Sequence, residues 1–329
     1  LGVLEELLDL VELLDRLVGT GDVAEGDLRR VDAHPLGARL AERHDLRAAA
    51  LHLGKLGYRV YAGVRTEFSA AELAADSQLC GDVIPVLLDV TDAASIARVG
   101  ERIRRECADT GLYAVVNNAG VSISAPLECI PIDAVRSELE TNLVGTIAVT
   151  QHFLPLLRVS KGRIVNISSG VGSIAPPYLS IYAASQFAKE GLSDSLRREL
   201  RQFGVSVSVI QPGAVHTPIW DKMAQSADEI LDGAPAEVVD VYRNKFVGFL
   251  NMNAERAQKS TTTPEDYADT VAAVLAAKHP KARYRVGLDS WSSAIARRIL
   301  PDRVMDTVMA AGLKTMARSA TPQRTEVRR

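Results

Sequence analysis

Asn117-Asn118-Ala119-Gly120 ends a predicted strand, at the edge where open α/β sheets bind their ligands. Small amides beside a glycine let a flat molecule approach the backbone while the amides bond neighbouring strands; the same four residues also read as a plain turn. Asp89 closes LLDVTD, placed either to accept a bond from an adenine amino group or to cap the next helix near Thr91. Asn142 lies inside a helical pattern, an unfavourable place for Asn unless its side chain has work to do. Ser168-Ser169 close a further strand, and Tyr182 opens the following helix thirteen residues beyond Ser169. After one more strand, Pro212-Gly213-Ala214-Val215-His216-Thr217-Pro218 forms a rigid loop at the same edge.

The elements that must position these groups follow from periodicity. Apolar runs at 58–64, 83–90, 112–116, 162–167 and 205–210 show little alternation, as parallel strands covered on both faces do. Helical patterns at 69–79, 92–109, 131–157 and 180–203 alternate with them, which predicts a doubly wound, three-layer α/β domain. The stretch 214–262 is less regular. Thr263-Pro264-Glu265-Asp266 then reads as N-cap, first-turn proline and dipole-matched acids opening a helix to about residue 278. A short strand at 284–287 and one or two terminal helices complete the chain. Residues 19–45 read as a linker, so the expected division is 1–45, a domain over 46–300 with a substrate lid at 219–262, and a C-terminal helix and tail at 301–329.

Composition narrows the function. A net charge of −3, from 38 basic and 41 acidic side chains, argues against a nucleic-acid partner. Six scattered histidines and three widely spaced cysteines (Cys80, Cys107, Cys129) form neither a metal motif nor a disulfide framework, which points to no metal and a reducing, cytoplasmic setting. The most apolar terminal run, 1–18, is broken by Glu5, Glu6, Asp9, Glu12 and Asp15. It reads as an amphipathic surface helix, not as a membrane span or signal peptide.

The joint pattern of NNAG, Asn142, Ser169 with Tyr182 in YAAS, and PGxxxTP resembles the short-chain dehydrogenase/reductase family over about residues 46–300. The flanking YRVYAGVR, FAKEGLSDSLRREL and YRVG resemble the branch acting on retinoids, steroids and other lipophilic alcohols. The resemblance implies a Rossmann-like oxidoreductase that moves a hydride between NAD(P)(H) and a lipophilic alcohol or ketone. It implies Tyr182 as the acid/base, Ser169 as the group holding the substrate oxygen, and Asn142 as the residue ordering a relay water. It places Asn117, Ala119 and Gly120 along the cofactor, Asp89 and Val90 at the adenine, and Pro212, Gly213, Val215 and Thr217 beside the nicotinamide. Arg65 follows the second strand where an acid would bind a free ribose hydroxyl; an Arg suits a 2′-phosphate, which favours NADP over NAD, although it also reads as a solvated loop charge. A homo-oligomer through the 131–157 and 180–203 helices is implied as well.

Two departures from the family stand out. The residue four after its tyrosine is normally lysine and here is Gln186, which can bond the cofactor ribose but carries no charge. A cation about 4–5 Å from a phenolate stabilises it by roughly 3–4 kcal/mol at an effective dielectric near 20, about two to three pKa units. Lys189 lies on the same helical stripe, and reads either as a partial replacement or as an ordinary solvated lysine. The second departure is the absence of the first strand and of TGxxxGxG, whose glycines seat a pyrophosphate on a helix N-terminus. That turn should fall near residues 39–46, RLAERHDL, which hold no glycine. The abrupt change near residue 46 reads as a replaced N-terminal segment, by fusion, decay or a frame slip. Residues 1–45 must then supply a substitute strand or leave the sheet short of a central member. The alternative function is accordingly an impaired relative that binds or scaffolds without turnover.

Overall fold

A computed structural model describes residues 35–39, 44–77, 81–215 and 219–319. Among the described residues, seven strands form one all-parallel sheet in the order β3-β2-β1-β4-β5-β6-β7. They are β1 Pro35–Arg39, β2 Arg59–Val64, β3 Val83–Leu87, β4 Ala114–Asn117, β5 Arg163–Ile167, β6 Ser206–Pro212 and β7 Arg283–Val286. The strand order reverses direction between β1 and β4, the switch point at which such sheets open a crevice.

The expectation of a linker without a strand over 19–45 is therefore corrected. Residues 35–39 form β1, with Pro35 to Arg39 paired to Arg59 to Gly63 of β2 and Leu36 to Ala38 paired to Ala114 to Val116 of β4. PLGAR has poor strand propensity. Its place is set by its neighbours: β2 and β4 are buried, and each would otherwise leave a row of backbone donors and acceptors without partners. Pro35 sits at the first position of the strand, where its missing N–H is tolerated. The amphipathic helix expected at 1–18 lies outside the described residues.

Helices cover both faces. On one side α1 (His44–Lys55) and α9 (Pro264–Ala276) pack together, with Ala50 and Leu53 joining Tyr267, Val271 and Leu275 over β1 and β2. On the other, α3 (Ala93–Glu106) and α5 (Gly145–Ser160) bury Ile96, Val99, Ile103, Phe153 and Leu157. Each such side chain contributes about 1.5–3 kcal/mol by leaving water. Helix α2 (Glu67–Ser77) follows β2, and α4 (Ile132–Leu139) leads into a π-helical turn at Glu140–Val144 before α5. The single helix expected over 131–157 is thus two helices joined by a π-turn that contains Asn142. Helix α6 (Ser180–Glu199) ends in a 3₁₀ turn at Leu200–Phe203.

The stretch 214–262 is also more regular than its sequence indicates. It holds α7 (Ile219–Gly233) and α8 (Ala236–Lys259), whose Met223, Phe246 and Phe249 make a third apolar cluster with Ala125 and Leu179. Helix α9 opens as expected: Thr263 Oγ1 accepts from the Asp266 amide at 3.1 Å and Asp266 Oδ2 accepts from the Thr263 amide at 2.8 Å, with Pro264 in the first turn. Helices α10 (Leu288–Ile299) and α11 (Asp302–Ser319) close the chain, α11 packing on α8. Among the described residues no helix is long and apolar enough to cross a membrane.

Candidate active site

Because every strand runs the same way, the expected site residues gather along one edge of the sheet. Arg65 follows β2, Asp89 and Val90 follow β3, and Asn117 to Gly120 end β4. Ser168 and Ser169 follow β5, and Pro212 to Val215 end β6. Thr217 falls outside the described residues. Ser169, Tyr182, Pro212, Gly213 and Val215 line one cavity of about 310 Å³, with Met223 of α7, Phe249, Met252, Asn253 and Arg256 of α8, and Met309 of α11.

The amides mostly serve as internal fasteners. Asn117 is 2% exposed, and its Nδ2 donates to Thr150 Oγ1 and to Asn166 Oδ1, both at 2.9 Å, so it ties β4 to β5 and α5. Asn118 Oδ1 accepts from the buried Tyr267 hydroxyl at 3.1 Å. Asn142 is fully buried. Its Oδ1 accepts from the Val121 amide at 2.8 Å, and its Nδ2 donates to the Val121 carbonyl and to Ser185 Oγ, each at 2.9 Å. Ser185 Oγ in turn donates to the Tyr182 carbonyl at 2.8 Å. The π-turn, a feature frequent at functional sites, thereby clamps the segment after NNAG to the first turn of α6. Asn142 holds the backbone of the tyrosine through Ser185, and both hydrogens of its own Nδ2 are taken.

Tyr182 is half-buried and Ser169 Oγ accepts from the Val171 amide at 3.2 Å, capping the 3₁₀ turn Gly170–Gly172. Just before α6, Tyr178 has a backbone φ of 63°, an unfavourable conformation for a residue with a side chain. Its ring is held edge-on by Phe246 and Phe249 of α8, with centroids at 5.2 and 5.3 Å. Gly213 has no room for a side chain: a Cβ there would run into the carboxylate of Asp289, which accepts from the amides of Ala214 and Ser290. Asp89 lies two residues past β3, not at its end, and its Oδ1 accepts from the Thr91 amide at 2.8 Å and hydroxyl at 2.7 Å. The cap of α3 itself is Asp92, which accepts from the Ala94 amide.

Gln186 is 2% exposed; its Nε2 stands 3.4 Å from Ser185 Oγ and its Oε1 has no partner. Lys189 is not the solvated lysine of ordinary expectation. It is 1% exposed, and its Nζ donates to the Ile167 carbonyl at the end of β5 at 2.9 Å.

Sequence reasoning missed Glu138. It precedes Asn142 by one turn, so the two share a helix face, and that spacing was the available signal. Glu138 is fully buried, accepts from the Ile123 amide at 3.0 Å and stands 3.4 Å from Asn142 Nδ2. Burial pushes its carboxyl up to about 8, against the opposing pull of the Ile123 N–H. The folded protein therefore keeps a proton between pH 4.5 and about 8 that the unfolded chain has lost. Stability is expected to fall as pH rises through that window, by up to about 1.4 kcal/mol per pH unit. Urea denaturation across the window checks this, and Glu138→Gln is expected to flatten the dependence.

The nicotinamide-ribose half of a dinucleotide fits this edge. Asn118 Nδ2, Ser168 Oγ and Gln186 Oε1 are buried polar atoms without partners among the described residues, and they lie at the ends of β4 and β5 and on α6. The pyrophosphate half differs: only residues 40–43, Leu-Ala-Glu-Arg, join β1 to α1, and they contain no glycine.

Residues 47–228 match the short chain dehydrogenase family. The chain is 39% identical over 253 residues to 3-amino-tetrahydro-pyrrolizinone reductase of Xenorhabdus hominickii, covering 77% of this chain and 86% of that protein. It is 35% identical to the 17-beta-hydroxysteroid dehydrogenase type 6 of Bos taurus, covering 83% and 84%. The fold matches that of a short chain dehydrogenase from Burkholderia cenocepacia crystallised with NADP, with a TM-score of 0.63, 22% identity, and 84% and 97% coverage. The chain belongs to the short-chain dehydrogenase/reductase family.

Proposed function

We propose that this chain transfers a hydride reversibly between NADP(H) and a lipophilic, steroid- or retinoid-like alcohol or ketone. One observation carries the reading: Tyr182 and Ser169 wall the same cavity as Pro212 to Val215 at the carboxyl edge of the sheet. Ser169 holds the substrate oxygen by a hydrogen bond, and Tyr182 gives that oxygen a proton on reduction or removes it on oxidation. Asn142 keeps the tyrosine's turn in place through Ser185. The dinucleotide, when bound, supplies or accepts the hydride at its nicotinamide ring. Arg65 takes the 2′-phosphate, which favours NADP with NAD as a weaker second, and Asp89 and Val90 lie toward the adenine. Met223, Phe249 and Met252 make the apolar wall that selects a lipophilic substrate. Self-association uses the outer faces of α4 to α6, where Phe187 is 41% exposed, and the setting is cytoplasmic.

A second reading has its own observations. Gln186 brings no charge to the phenol, and no glycine lies between β1 and α1, so a relative that binds without turnover is the alternative. Titration of NADPH and NADH, followed by nicotinamide fluorescence, separates the enzyme from a pure scaffold. Saturable binding with NADPH the tighter ligand is expected, with the preference lost in Arg65→Glu. No binding of either dinucleotide contradicts the enzyme reading.

A further inference from the structure

Helices α8 and α11 contribute Phe249, Met252, Val308 and Met309 to the cavity, and among these apolar groups α8 also places two nitrogen donors, Asn253 and Arg256. They are three residues apart and so share a face of the helix. Asn253 is 8% exposed, and its Nδ2 has no hydrogen-bond partner among the described residues, a costly state for a buried amide. Arg256 is exposed where the cavity meets solvent, and no carboxylate among the described residues pairs with it. Its neighbour Glu255 is taken by Lys259 at 3.3 Å. Asp289, the carboxylate that also lines the cavity, already accepts from the Ala214 and Ser290 amides.

We propose that Asn253 and Arg256 form a subsite for a carboxylate carried by an otherwise apolar alcohol or ketone substrate. The inference rests on the hydride-transfer reading of the Tyr182 cavity and adds the chemistry of the substrate's second polar group. A guanidinium fork matches the two oxygens of a carboxylate, and the Asn253 amide adds a neutral donor beside it. One cation balances one negative charge, so a monoanion suits the subsite and a dianionic phosphate does not.

The test compares ω-hydroxylauric acid with its methyl ester on the full-length protein, by calorimetric binding and by NADP-dependent oxidation. The acid is expected to bind about tenfold more tightly than the ester, with the difference carried in KM. Arg256→Gln is expected to collapse the acid-to-ester ratio towards one, and Asn253→Leu to reduce it in part. Because Arg256 is exposed, its substitution leaves the core intact, and the ratio is independent of overall activity. Equal binding of acid and ester, binding of neither, or a ratio that persists in Arg256→Gln overturns the subsite. Selective binding of the acid without oxidation of either compound upholds the subsite and contradicts hydride transfer; oxidation of both with equal KM does the reverse.

Discussion

Tyr182→Phe is expected to lower kcat by about a thousandfold while the protein stays folded and still binds dinucleotide. Positioned proton transfer accounts for about 10²–10⁴ of an enzymatic rate, and the phenol is the acid/base assigned to this cavity. The substitution is clean on structural grounds. The Tyr182 hydroxyl makes no hydrogen bond to the described residues, whereas the bond that holds its turn is made by its main-chain carbonyl with Ser185. Thermal denaturation should therefore move little. Steady-state kinetics with a lipophilic ketone and NADPH supplies the check, and a variant retaining more than about a tenth of the wild-type kcat contradicts the assignment.

Gln186→Lys is expected to raise kcat at neutral pH by about tenfold to a hundredfold. A cation about 4–5 Å from the phenolate stabilises it by roughly 3–4 kcal/mol at an effective dielectric near 20. The acid limb of the pH profile for oxidation should accordingly move down by about two pH units. The position already holds a buried polar head, whose Oε1 has no partner among the described residues. Lys189 complicates the substitution. It lies three residues further along α6, is buried and bonded to Ile167, and two ammonium groups on one buried face repel each other. The double variant Gln186→Lys with Lys189→Met is therefore expected to exceed the single one. A Gln186→Lys protein that binds NADPH but shows neither a gain in rate nor a moved pH profile contradicts this account of the departure.

Strands β2 to β6 are legible as largely apolar runs with little alternation, whereas β7, Arg-Tyr-Arg-Val, reads only as a short strand after α9; the edge at which the site residues collect follows from the parallel direction of the strands. NNAG, Ser169, Tyr182 and the loop after β6 lie at that edge for that reason. β1 was not legible, since nothing in Pro-Leu-Gly-Ala-Arg favours a strand; its pairing is demanded by β2 and β4, which sequence periodicity does not display. Helices α7 and α8 are obscured because their apolar residues answer to a cavity and to α11 as well as to the core. Asn142 stood out as an Asn in a helix, but the π-turn around it was invisible. Glu138 is not legible in sequence because a carboxylate in a helix ordinarily faces water, and only the structure shows it enclosed. Lys189 is enclosed against the same ordinary expectation.

The most direct measurement of the central claim follows the hydride itself. The protein is mixed with a lipophilic ketone and NADPH carrying deuterium at the transferable ring position, and the alcohol is examined by mass spectrometry. Deuterium on the new carbinol carbon, formed by the wild-type chain and at about a thousandth of that rate by Tyr182→Phe, is the predicted result. Bound NADPH that yields no labelled alcohol from any ketone offered, or label transfer unaffected by loss of the phenol, contradicts it.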